Sequence, residues 1–190
     1  MGAAKILHSI TLEEYLGSEM ASPVRREYVR GEVYAMAGTT INHNRIVRRL
    51  LELLSPAAQQ KNCEVLFQDI KLKIPLSSRA GTFSEVVYYP DLMVVCGPIN
   101  PKSHFVDGAC LIVEILSPST AQTDKREKKE NYLTLDSLEA YLLVDSESRL
   151  VEGYFRTPEG WAKKSWSQGE VELPCPGATL NLEGLYQGIL

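Results

Sequence analysis

No apolar run in this chain approaches the roughly 18 residues that a membrane span needs, and the N-terminus MGAAKILHSI has no signal-peptide core. A membrane is therefore not an expected partner, and the cytoplasm is the expected location. Histidine is scarce, and His8, His43 and His104 have no zinc-ligand spacing. The four cysteines, Cys63, Cys96, Cys110 and Cys175, also lack a short paired spacing. That argues against a structural zinc site and leaves free, mostly buried thiols as the simpler reading. A glycine-rich phosphate loop is missing, as is a GxSxG elbow around Ser117. So is an excess of positive charge. The 20 Lys and Arg against 24 Asp and Glu leave a net charge of -4, which weakens broad affinity for nucleic acid but is compatible with a local basic groove.

What the chain does have is enough apolar sequence for a core. With 190 residues, 44% of them hydrophobic and 23% charged, residues 1–190 are expected to form one globular domain. Thr11 followed by Glu14 is a capping box that opens a short helix to about Ser18. RREYVRGEVYAM reads as a hairpin turning at Gly31. Ile46, Val47, Leu50, Leu51 and Leu54 recur at helical spacing, so a helix is expected from Asn42 to about Leu54 with His43 in its first turn. Val65 to Ile74 alternates as one strand. Leu111 to Leu116 is apolar except for Glu114, as a strand covered on both faces would be. Asp124 caps a helix through Leu133, and Ala140 to Val144 is a further strand, which together make a βαβ unit. Val151–Phe155 and Trp161–Trp166 form a hairpin around Pro158-Glu-Gly160, with both tryptophans packing it. The fold class is α/β (α+β), a mixed sheet flanked by helices with additional strands at both ends.

Two carboxylates set in hydrophobic strands carry the chemistry: Asp91 in VVYYPDLMVV and Glu114 in CLIVEILS. A buried carboxylate needs hydrogen bonds, a cation or a metal to compensate its desolvation. Brought together across a sheet, the two offer oxygen ligands to a hard divalent metal, with the carbonyl of Ile115 as a further ligand. Such a site suits phosphodiester hydrolysis. Lys128 is the first choice for a basic residue beside it and Lys125 the alternative, with Asp124 a supporting residue or simply a cap. The competing reading is a buried salt bridge from Glu114 to Lys125 or Lys128. Glu32 and His43 are weaker site candidates. Lys71, Lys73, Lys125 and Lys129 are candidates for steering a polyanion.

YYPDLMVVC, LIVEILSPSTAQTDKREKKENY and LEAYLLVD, with RREYVRGEVYAM and the His43 helix upstream, resemble the Uma2 family of the PD-(D/E)XK nuclease superfamily. The resemblance covers most of the chain. It implies a restriction-endonuclease-like fold and a Mg²⁺-dependent, or Mn²⁺-dependent, endonuclease that acts on DNA as a homodimer. By position, Asp91 and Glu114 match the two acidic residues of the superfamily signature. Its lysine should stand two residues after the glutamate, where this chain has Leu116. Lys128, with Asp124, matches the family's recurring Lys and Asp, and Glu32 and His43 match further recurring positions. The alternative is a non-catalytic nucleic-acid-binding or assembly protein that keeps the fold.

Overall fold

The computed structural model describes residues 5–6, 9–77, 83–117 and 124–190. Helix α1, Leu12–Glu19, starts at the Thr11 capping box. Strands β2, Arg26–Val29, and β3, Glu32–Ala35, form the expected hairpin, and β1, Lys5–Ile6, pairs with β3. Arg30 and Gly31 make its two-residue turn with positive φ angles of 51° and 92°, the backbone twist that lets two antiparallel strands connect so tightly. Helix α2 runs from Ile41 to Gln60. It is longer than its periodicity predicts because the chain continues through Pro56, and Ala58 still faces the core.

Val65 to Ile74 is not one strand. It divides into β4, Cys63–Phe67, and β5, Lys71–Ser77, which belong to different sheets. Gln68 takes a φ of 58° between them, which no extended strand accommodates. The Asp91 region divides in the same way, into β6, Phe83–Tyr88, and β7, Leu92–Cys96, with Tyr89-Pro90-Asp91 crossing from one sheet to the other.

After β8, Phe105–Val106, and β9, Leu111–Leu116, a π-helical turn Asp124–Lys128 continues into a short helix Lys129–Tyr132, together termed α3. Strand β10, Ala140–Asp145, pairs parallel with β9 and completes the βαβ unit. The hairpin β11, Val151–Thr157, and β12, Gly160–Trp166, follows as expected. Trp161 donates to the carbonyl of Leu133 and Trp166 packs edge-on against Phe155, so both tryptophans serve the hairpin's packing. The chain ends in β13, Glu170–Leu173, β14, Ala178–Asn181, and a helix α4, Leu182–Tyr186.

The strands make a mixed sheet of order β12-β11-β10-β9-β7-β4, a second sheet of order β1-β3-β2-β6-β5-β8, and the β13-β14 hairpin. Alternation along β9 decides what lies on each side of the mixed sheet. Leu111, Val113 and Ile115 pack with Ile46, Val47, Leu50 and Leu54 of α2. Ile112 and Leu116 pack with Leu72, Ile74, Val86 and Tyr88 of the second sheet and with Tyr132 of α3. Burying both faces gives the continuous apolar run seen in the sequence. No described helix is long and apolar enough to cross a membrane.

The cysteines require a correction. They are not free thiols: Cys63 pairs with Cys96 and Cys110 with Cys175. Residues far apart in the sequence meet because β4 and β7 place Cys63 directly opposite Cys96, while the β13-β14 connection returns Cys175 to the same corner.

Candidate active site

Asp91 owes its place to the crossing between sheets. Pro90 has no amide to contribute to a ladder, and β7 starts immediately after Asp91. Leu92 is paired with Val113 in antiparallel register, so Asp91 comes opposite Glu114. The Asp91 amide faces Glu114 Oε2 at 3.3 Å. Its carboxylate Oδ2 accepts the Ile115 amide at 2.8 Å and lies 3.0 Å from His43 Nε2. His43 is held in the first turn of α2, where its amide donates to the capping Thr40 hydroxyl. Its other ring nitrogen, Nδ1, is buried without a hydrogen-bond partner among the described residues.

Glu114 lies one step deeper. Its side chain is 3% exposed against 18% for Asp91, so Asp91 is the solvent-facing member of the pair. Glu114 Oε1 accepts from the Tyr132 hydroxyl at 2.7 Å and from Lys128 Nζ at 3.2 Å. Lys128 Nζ also meets Glu27 Oε1 at 2.8 Å and sits 5.5 Å from the centre of the Tyr88 ring. The same Glu27 oxygen accepts the Tyr89 amide at 3.2 Å. The network thus joins the crossing segment, β9, α3 and the β2-β3 hairpin.

The tyrosines in this network stay protonated. Burial, and after it the charge of Glu114, pushes the Tyr132 hydroxyl well above the ordinary tyrosine value. Burial and the charge of Glu127 push Tyr88 upward as well. Tyr132 is thereby fixed as a donor to Glu114, and Tyr88 as a hydroxyl that donates to Glu127 and accepts from Asn131.

Of the residues singled out in the sequence, Asp91, Glu114, Lys128 and His43 come together here. Ile115 joins them through its amide. Leu116, two residues after Glu114, is buried in the apolar cluster with Ile112 and Tyr132. Glu32 shares a hairpin face with Glu27 and accepts from the Tyr34 hydroxyl. That bond, followed by burial, raises Tyr34 to about 12. The side chains of Asp124 and Lys125 lie outside the described residues. Lys71 does not present itself to a polyanion: it is buried over the Tyr89 ring, and burial lowers its pKa. Lys73 pairs with Asp107.

Sequence reasoning missed Glu27 and Tyr132. Both had a signal. A two-residue turn at Arg30-Gly31 puts Glu27 on the same hairpin face as Glu32, and Tyr132 stands four residues after Lys128 on one helical side.

As a donor set, Asp91 and Glu114 offer oxygen alone, which suits Mg²⁺ rather than a soft metal. Asp91 Oδ1 takes no hydrogen bond among the described residues, which leaves it available as a ligand. A different group of candidate ligands lies at the other end of β7, where the sulfurs of Cys63, Cys96 and Cys175 are within 4.8 Å of one another. Cys96 stands five positions after Asp91 along extended chain, or about 17 Å at the usual rise per residue.

Residues 12–185 match the Uma2 family model, described as "Putative restriction endonuclease". Two proteins of Synechocystis, both described as uncharacterized, are similar along much of their length. The protein slr1290 is 33% identical over 180 residues, covering 93% of this chain and 91% of that one. The protein sll1609 is 34% identical over 152 residues, covering 76% and 80%. A crystal structure from Anabaena variabilis, described as "a putative nuclease belonging to DUF820", superposes with a TM-score of 0.74 at 17% identity, covering 95% of this chain and 99% of that one. At that identity the likeness concerns the fold, which is the mixed sheet with flanking helices derived above. The chain belongs to the Uma2 family and has a restriction-endonuclease-like architecture.

Proposed function

We propose that this protein is a Mg²⁺-dependent DNA endonuclease, with Mn²⁺ as an alternative ion, in which Asp91 and Glu114 hold the metal and Lys128 supplies the basic group that Leu116 cannot. The observation that carries this reading is the position of Lys128. Although it comes from α3, its ammonium reaches the same Glu114 carboxylate whose other oxygen faces Asp91. The two acids and the lysine therefore form one group.

Asp91 Oδ1, Glu114 Oε2 and the Ile115 carbonyl are the ligands assigned to the metal. When bound, a divalent cation there polarises a phosphate oxygen and lowers the pKa of a coordinated water. The Ile115 amide and His43 hold the Asp91 carboxylate in place. Tyr132 and Lys128 hold Glu114, and Lys128 is placed to stabilise charge developing on the phosphate. Glu32 and His43 are assigned supporting roles at the edge of the site, and a homodimer would present two such sites to opposite DNA strands.

The test is cleavage of duplex DNA by the full chain with and without Mg²⁺, compared with Asp91→Asn and Glu114→Gln proteins whose far-UV circular dichroism is unchanged. Metal-dependent cutting is expected in the parent and its loss in both variants. Equal cutting by the folded variants would place the chemistry elsewhere. Absence of cutting in the parent, together with unchanged DNA binding in the variants, would favour the non-catalytic binding or assembly reading, in which Lys128–Glu114 serves as a structural ion pair.

A further inference from the structure

The two disulfides lie against each other: the sulfurs of Cys63, Cys96 and Cys175 fall within 4.8 Å of one another, and Cys110, bonded to Cys175, joins them through its contact with Cys96. Cys63 and Cys96 face each other across β4 and β7. Cys110 is fixed beside β7 by the hydrogen bond its amide donates to the Val94 carbonyl at 2.8 Å, and Cys175 arrives from the β13-β14 connection. The Cys96 sulfur lies 3.5 Å from those of both Cys110 and Cys175, residues of the other disulfide. Two cross-links made only to staple separate parts of the fold need no such contact. Four thiolates around one tetrahedral ion do. With metal–sulfur bonds of about 2.3 Å, the edge of such a tetrahedron is about 3.8 Å.

We propose that, in the reduced chain, Cys63, Cys96, Cys110 and Cys175 bind one zinc ion. All four donors are soft thiolates, which select zinc over the hard ions suited to the carboxylates. Cys63, Cys110 and Cys175 are buried and Cys96 is exposed. Cys96 and Cys110 also line a cavity of about 680 Å³, which gives an ion a path to the site. The ligands come from β4, the end of β7, the approach to β9 and the terminal hairpin, so the metal would tie that hairpin to the mixed sheet.

The disulfide and metal states exclude each other, since each sulfur serves in only one. A dithiol reductant gives two electrons and two protons to each disulfide and is itself oxidised to a disulfide. The four protein thiols so formed release their protons as four metal–sulfur bonds are made.

The full chain, reduced with a phosphine that does not compete for metal, is dialysed against Zn²⁺ or Co²⁺ without oxygen. About one ion per chain is expected at the sulfurs, counted as the part that the mercurial reagent releases. The Co²⁺ form should show thiolate-to-cobalt charge transfer and tetrahedral ligand-field bands, and a mercurial thiol reagent should release the ion. The disulfide form should take none at this site. Cys96→Ser should lose the four-thiolate spectrum, whereas Asp91→Asn/Glu114→Gln should retain it, which separates this site from the carboxylates. A folded, reduced parent chain that binds no ion, or binds Co²⁺ without thiolate charge transfer, overturns the proposal. Because both results are read on the parent chain, a cysteine variant that fails to fold does not obscure them.

Discussion

The ammonium of Lys128 lies between two acidic side chains from distant parts of the chain, 3.2 Å from Glu114 Oε1 and 2.8 Å from Glu27 Oε1. The lysine and Glu114 side chains are 7% and 3% exposed, so the charges are compensated largely by protein groups. Such a pair contributes little net stability relative to an apolar replacement, but removing one partner leaves buried charge behind.

Lys128→Met is therefore expected to destabilise the fold by about 3 kcal/mol, read from urea denaturation. Pairing it with Glu114→Gln should give a loss smaller than the two single losses combined, because the uncompensated Glu114 charge is then gone. If Lys128→Met stays within about 0.5 kcal/mol of the parent, the ion pair does not hold α3 to the sheet as described.

The residues at this junction show which parts of the molecule could be read in advance. Periodicity located α2, β9 and β10, since each has a face or a whole segment that must be buried. It could not locate the break at Gln68, because alternation on either side of a left-handed residue looks continuous even when the two halves enter different sheets. Asp91 and Glu114 stood out as charges in apolar runs. Glu27 did not, because a carboxylate in a hairpin is ordinarily solvated and its burial depends on α3 packing over it. The cysteine group was hidden for the same reason. Its members meet through strand register and a returning hairpin, neither of which leaves a spacing in the sequence.

Alkaline pH should weaken the fold through its tyrosines. Tyr15, Tyr88, Tyr132 and Tyr186 all have hydroxyls raised above the ordinary tyrosine value, with burial as the main cause. Above roughly pH 10 the unfolded chain releases these protons while the folded chain keeps them. The unfolded state then binds fewer protons, so stability is intact below pH 10 and falls as pH rises beyond it, by about 1.4 kcal/mol per pH unit for each tyrosine still held protonated. Phenolate absorbance should rise together with loss of far-UV circular dichroism. Full tyrosine ionisation with the native spectrum intact would contradict the burial of these hydroxyls.

The hairpin that carries Glu27 to Lys128 depends on Gly31. Its φ of 92° lies where a side chain is disfavoured, and a Cβ there would come within 2.5 Å of the Ser9 hydroxyl oxygen. That atom ends a rotatable side chain and can move aside, whereas the backbone conformation cannot change without altering the two-residue turn. Gly31→Ala should therefore cost about 1–2 kcal/mol, and Gly31→Asn less, since asparagine tolerates left-handed backbone better than alanine. Denaturation curves for the three proteins would rank them Gly, Asn, Ala. If Ala and Asn are equally destabilising, the steric approach to Ser9 governs instead of the backbone. If neither destabilises, the turn that sets the Glu27 register is not the one described. The ranking also bears on the site, because a one-residue slip in β2 would move Glu27 to the opposite face of its strand and take it away from Lys128.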